Sequence, residues 1–124
     1  MSKNPIRAIC VPVIGFAPPM VGLDGEFNTF RIGLAMSKRL TNRGKVYLMD
    51  TKTMTVFGEA KVGAVFTGKL AEMCELHGHM NHTELHQHDG NHAERLLSLI
   101  TKLYGPHIVT PNKGSTVIYL RRTK

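Results

Sequence analysis

Six of the chain's seven histidines fall within "ELHGHMNHTELHQHDGNHAE", the stretch from Glu75 to Glu94. They are His77, His79, His82, His86, His88 and His92, with Cys74 just before them. Imidazoles four residues apart on a helix can chelate zinc, and His82/His86 and His88/His92 have that spacing. However, Asp89-Gly90 interrupts any helix between the second pair, and there is no H-E-x-x-H. A closed structural zinc site needs four well-spaced ligands, commonly rich in cysteine. The stretch therefore reads as a solvated polar segment between two helices. It could pick up a divalent metal adventitiously, but the expectation is no resident metal and no cofactor.

Charge is the second chemical resource. Sixteen Lys+Arg against nine Asp+Glu give a net charge of +7. Such an excess is the electrostatic footprint of a protein with a polyanionic partner. The cations also cluster. Lys38, Arg39, Arg43 and Lys45 crowd one segment, and Lys113, Arg121, Arg122 and Lys124 lie toward the C-terminus. If the two groups share one face of a sheet, they form a track for phosphates. Tyr47, Phe57 and Tyr119 are candidate stacking partners for bases, although each is also suited to a core. Nucleophilic chemistry has little support. Cys10 lies in an apolar run, the Cys74/His77 proximity is along one helix, and there is no phosphate loop, Rossmann fingerprint or G-x-S-x-G.

The elements that must position these groups follow from periodicity. The segment from Ile6 to Ile14 is β-branched and reads as a strand, with Pro12 placing it at an edge or a strand end. "GFAPPMVGLDGE" reads as a loop. From Phe27 to Ala35, Phe27, Thr29 and Arg31 alternate with Asn28, Phe30 and Ile32, which predicts a second strand. "SKRLTNRGK" reads as a basic turn, bent at Asn42, Arg43 and Gly44. "KVYLMDT" and "TVFGEAKVGAVFTG" predict two more strands with a turn at Thr53, and Gly58 and Gly63 suggest bulges or close packing. A helix is predicted from Lys69 to His77. Another follows Asn91, with Glu94 in the capping-box relation and an apolar face of Ala93, Leu96, Leu97, Ile100, Leu103 and Tyr104. Gly105-Pro106 stops it, and "STVIYLRRT" is a closing strand.

This order predicts one α+β domain over residues 1–124, a small curled β-barrel whose flanking helices are inserted before the last strand. No stretch approaches the apolar length that crosses a bilayer, and "MSKNPIRAICVPV" does not read as a signal peptide. The expectation is a cytoplasmic protein with no membrane partner.

Three segments carry a family resemblance: "DGEFNTFR", the run from Arg43 to Met73, and "TELHQHDGNHAERLLSLITKLYGPH" with the closing "STVIYLRR". In this order they resemble the ASCH family of the PUA-like β-barrel superfamily, over about Asp24 to Arg121. The family signature is G-x-K-x-x-E-x-R. Anchored on Arg31, it finds Asp24 in place of Gly, Glu26 in place of Lys and Thr29 in place of Glu. Some members are amidohydrolases that deacylate a modified cytidine with a Lys, a Thr and a Glu in the cleft, and others are thought to bind RNA. Thr29 would match the Thr, but Glu26 inverts the charge of the Lys. The resemblance therefore implies nucleic-acid binding, RNA ahead of DNA, through Arg31, the basic clusters including Lys113, Arg121 and Arg122, and a cleft beside Glu26 and Thr29. The alternatives are an amidohydrolase acting on an acylated nucleoside, and a protein-interaction or inhibitor module with a protein partner.

Overall fold

The computed structural model describes residues 11–40 and 43–124. The first part of the predicted Ile6–Ile14 strand, Cys10 and Asn42 lie outside the described residues. The described chain forms, in order, β1 (Val13–Phe16), β2 (Glu26–Ile32), α1 (Ala35–Arg39), β3 (Lys45–Asp50), β4 (Thr55–Lys69), α2 (Leu70–His77), α3 (His92–Tyr104) and β5 (Gly114–Arg122). One turn of 3-10 helix, Gly78–Met80, follows α2. No helix among the described residues is long and apolar enough to cross a membrane.

The five strands form one curled half-barrel sheet in the order β1-β3-β4-β5-β2. β1 runs parallel to β3, and the other pairs are antiparallel. The expected α+β architecture with helices before the last strand is therefore present. Pro12 sits where an edge predicts it, with its carbonyl accepting the Tyr47 N–H at 2.9 Å. Register shifts fall near both glycines singled out for bulges, between Leu48 and Met49 opposite Gly58, and between Val62 and Val65 around Gly63. Gly58 has a packing reason as well. A Cβ there would lie 2.6 Å from the Arg122 guanidinium nitrogens.

The period-two reading of β2 explains how the sheet separates two cores. Phe27, Thr29 and Arg31 face inward, opposite Leu120, Ile118 and Thr116 of β5. Phe27, Ile118 and Leu120 pack there with Ile14, Phe16, Val46 and Leu48. Phe30 and Val117 face outward into a second core with Leu70, Met73 and Cys74 of α2 and Leu96 and Ile100 of α3. The β2 residues that read as an ordinary amphipathic strand are thus used on both faces.

Two local expectations change. The basic turn contains a helix, α1, whose Met36 and the following Leu40 pack on the inner core. A run of charges concealed those two apolar anchors. The capping box at α3 does not form. Asn91 is the N-cap but makes no side-chain cap bond, and its own N–H goes to Asp89 Oδ1 at 3.0 Å. Leu103, expected on the buried face of α3, is 63% exposed, because the helix runs past the core at its C-terminal turn.

Candidate functional site

The histidine-rich segment is divided by its bonding. Its first half docks on the free edge of β2. Asn28 Nδ2 donates to the His77 carbonyl at 2.8 Å, and the His82 N–H donates to the Asn28 carbonyl at 3.2 Å. His77 Nδ1 lies 2.7 Å from the Tyr119 hydroxyl. His82 Nδ1 lies 3.1 Å from the Val21 carbonyl, which can only accept, so that nitrogen carries the proton. Burial pushes the His82 pKa down to about 4, which leaves a neutral ring at pH 7. Gly22 makes this docking feasible. It adopts φ +68°, and a Cβ there would collide with the His82 carbonyl.

The second half is pinned by one buried carboxylate. Glu84 is 3% exposed and accepts Arg95 Nε at 2.9 Å, Arg95 Nη2 at 2.8 Å and His92 Nδ1 at 3.0 Å. Arg95 also reaches Asp89 at 2.9 and 3.1 Å. Burial alone would raise the Glu84 pKa, but the hydrogen bonds from Arg95 and His92 outweigh it and hold the pKa below the ordinary value. His79, His86 and His88 are exposed. Among the described residues, no three His, Cys, Asp or Glu side chains converge as a metal site. Burial pushes the Cys74 thiol up to about 11, so it is protonated at neutral pH and a poor nucleophile.

The cations do not form one surface. On the outer face of the sheet, Lys45 is opposite Lys61, Lys61 is opposite Arg121, and Arg121 is opposite Glu26. Directly opposed residues share a face, so these side chains make one row across four strands spaced about 4.8 Å apart. Lys45, Lys61 and Arg121 are all exposed. Lys45 reaches Glu59 at 3.3 Å, and among the described residues neither Lys61 nor Arg121 forms a salt bridge. Arg43, at φ 65°, joins Lys61, Arg121 and Glu26 along a groove of about 630 Å³ that Tyr119 also lines. Lys38 and Arg39 are exposed on α1.

Two of the predicted cations lie elsewhere. Lys113 precedes β5, at the opposite end of that strand from Arg121. Arg122 is committed to the fold. Its guanidinium donates to the Leu23 carbonyl at 2.9 Å, the Phe57 carbonyl at 3.2 Å and the Lys124 carbonyl, and lies 5.3 Å from the Phe57 ring centroid.

Beside the row is an aromatic group of which sequence reasoning singled out Tyr119 alone as a stacking candidate. Phe66 stacks on His77, with ring centroids 4.5 Å apart and planes at 22°. Tyr119 meets both edge-on, at 5.9 and 5.5 Å. Phe66 is 41% exposed. The signal was its place one step past the β4 bulge, which turns it outward, but the bulge had to be located before that could be used. Tyr119 joins the trio to the cationic groove.

Arg31 is on the other side of the sheet. It projects from the inner face toward a cavity of about 550 Å³ at the free edge of β2. Phe16, the 17–21 loop, Asn81–Thr83 and α3 close around it. Thr29 lines the same cavity, whereas Glu26 faces outward on the cationic groove. The predicted pair of cleft residues is therefore split between the two faces. No family model, curated protein or solved structure matches this chain.

Proposed function

We propose that the chain binds single-stranded RNA across the outer face of its sheet. Lys61, Arg121, Arg43 and Lys45 hold phosphates, and the Phe66–His77–Tyr119 group stacks bases. The observation that carries this reading is the contiguity of the two features. Tyr119 lines the groove between Lys61 and Arg121 and also contacts both other rings. Single strands are held by this combination of backbone charge and exposed π-faces. Lys38 and Arg39, exposed on α1, add to the positive charge that attracts a polyanion. We read the half-barrel as PUA-like and of the ASCH type. That resemblance, rather than any contact, is the reason for placing RNA ahead of DNA.

The hydrolytic alternative draws less support. Among the described residues, no Lys, Asp or Glu lines the cavity that holds Thr29, so an acyl-transfer site built from them would lack a lysine or carboxylate to activate water.

Fluorescence anisotropy with labelled oligouridylate tests the proposal. Affinity should fall steeply with salt, because each phosphate neutralised on a single strand contributes about 0.7 to the log–log slope. Lys61→Gln with Arg121→Gln should flatten that slope by about 1.4. Phe66→Ala should weaken binding by about 1–3 kcal/mol with the slope retained. No binding of oligouridylate or oligodeoxythymidylate at low salt would overturn the reading and leave the protein-partner alternative.

A further inference from the structure

Among the described residues, three buried side-chain nitrogen or oxygen atoms have no hydrogen-bond partner, and two of them are Arg31 Nε and Nη2. The residue keeps some solvent-exposed surface, but not at these two atoms. The guanidinium stacks over the Phe16 ring, with Cζ 5.0 Å from the centroid. That contact offsets part of the cost of burying a cation but satisfies no N–H. Burial lowers the Arg31 pKa, and the Tyr104 side chain opposes this by its charge and a hydrogen bond. A guanidinium keeps its charge in proteins. Among the described residues no carboxylate lines the cavity, and the His82 ring there is neutral.

An uncompensated buried cation costs stability, and proteins normally pair it or leave it in water. Here it borders a cavity of about 550 Å³, room for a small molecule. The two unpartnered N–H groups have essentially no solvent-accessible surface, so Arg31 borders the cavity by its other atoms, and what it offers there is an uncompensated positive charge. The remaining walls are mostly apolar, including Pro18, Pro19, Leu99, Ile100 and Leu103. The cavity therefore has a cation on its wall and room for an apolar body.

We propose that this cavity binds a small organic acid, a carboxylate or phosphate monoester with an apolar or aromatic body, paired with the cationic side chain of Arg31. The site is distinct from the outer-face groove and does not rest on the RNA reading. Thr29 and Tyr104 also line the cavity.

Calorimetric or NMR titration of the full chain tests this with four probes: benzoate, phenyl phosphate, inorganic phosphate and benzyl alcohol. At least one of the two aromatic acids should bind, at least about tenfold tighter than benzyl alcohol, which has the body without the anion, and tighter than inorganic phosphate, which has the anion without the body. Which acid is preferred identifies the head group. Arg31→Met should remove the preference for acid over alcohol, and Arg31→Lys, which keeps charge but loses the fork, should retain only part of it. Because the contact is buried, moderate salt should change acid affinity much less than RNA affinity. The proposal is overturned if neither acid binds, if acid and alcohol bind alike, or if a folded Arg31→Met protein keeps the preference. The first two outcomes need only the parent protein, so they hold even if the variants fail to fold.

Discussion

Arg95 and Arg31 are both partly shielded arginines bordering the histidine-rich segment, but their surroundings are opposite. Arg95 is shared by two carboxylates, and the buried one, Glu84, is bonded by His92 as well. Among the described residues, Arg31 has an aromatic face beneath it, no carboxylate, and two N–H groups with no partner. The first arrangement is complete without any other molecule, so its role is to hold the segment against α3. The second is incomplete, so a role in binding follows. The number of unmet hydrogen bonds, rather than residue type or charge, separates the structural arginine from the candidate binding arginine.

The helix α3 serves both regions. It supplies Arg95 to one and Leu99, Ile100 and Tyr104 to the wall of the other. Leu96 is 2% exposed between them. Leu96→Asp should remove both regions together by placing an unpaired charge in the outer core, at a cost of about 4 kcal/mol in denaturant unfolding. A variant that melts like the parent would contradict the packing of this helix.

Glu84→Gln breaks only the complete region. It leaves Arg95 with the exposed Asp89 alone and should cost about 2–3 kcal/mol, less than for a fully buried pair because Arg95 is partly solvated. The pH dependence has a definite sign. The folded pKa of Glu84 lies below its ordinary value of 4.5. Its stabilising contribution is therefore complete above that pH and lost as pH falls through the folded pKa. In Glu84→Gln this acid-limb loss should be smaller, which urea midpoints measured down the acid limb would show.

Arg31→Met sharpens the contrast because its sign is reversed. Removing an unpaired buried cation in favour of a flexible apolar side chain should stabilise the ligand-free protein by about 1 kcal/mol, read as a higher Tm. A clear loss of stability would mean that Arg31 is structural. The smallest effect belongs to the exposed imidazoles. His86→Ala with His88→Ala should change stability by less than about 0.5 kcal/mol, because neither side chain is buried and Glu84 fixes the segment without them.

Much of the scaffold was legible because period two and period 3.6 survive in β2, β3, β5 and α3. The bulges near Gly58 and Gly63 were legible from the glycines themselves, which inside a strand pattern mark a bulge or close packing. The site was less so. Thr29 and Arg31 could be placed on one strand face, but the cavity is formed by Phe16, His82 and Tyr104, which approach from distant parts of the chain. Lys61, which completes the cationic row, was hidden inside an apolar strand, and only the β3–β4–β5 register brings it between Lys45 and Arg121. Arg122 is adjacent to Arg121, yet strand alternation turns it to the opposite face, where backbone carbonyls take it up.

The central claim is that the two faces of the sheet bind different ligands. The most direct test measures both ligands on both variants: oligouridylate and the preferred aromatic acid, each against Lys61→Gln/Arg121→Gln and against Arg31→Met. A crossed result is expected. The outer-face double variant loses RNA affinity and keeps the acid, and Arg31→Met loses the acid and keeps RNA. If either folded variant lost both ligands to a similar extent, the two faces would be one site and the account would be contradicted.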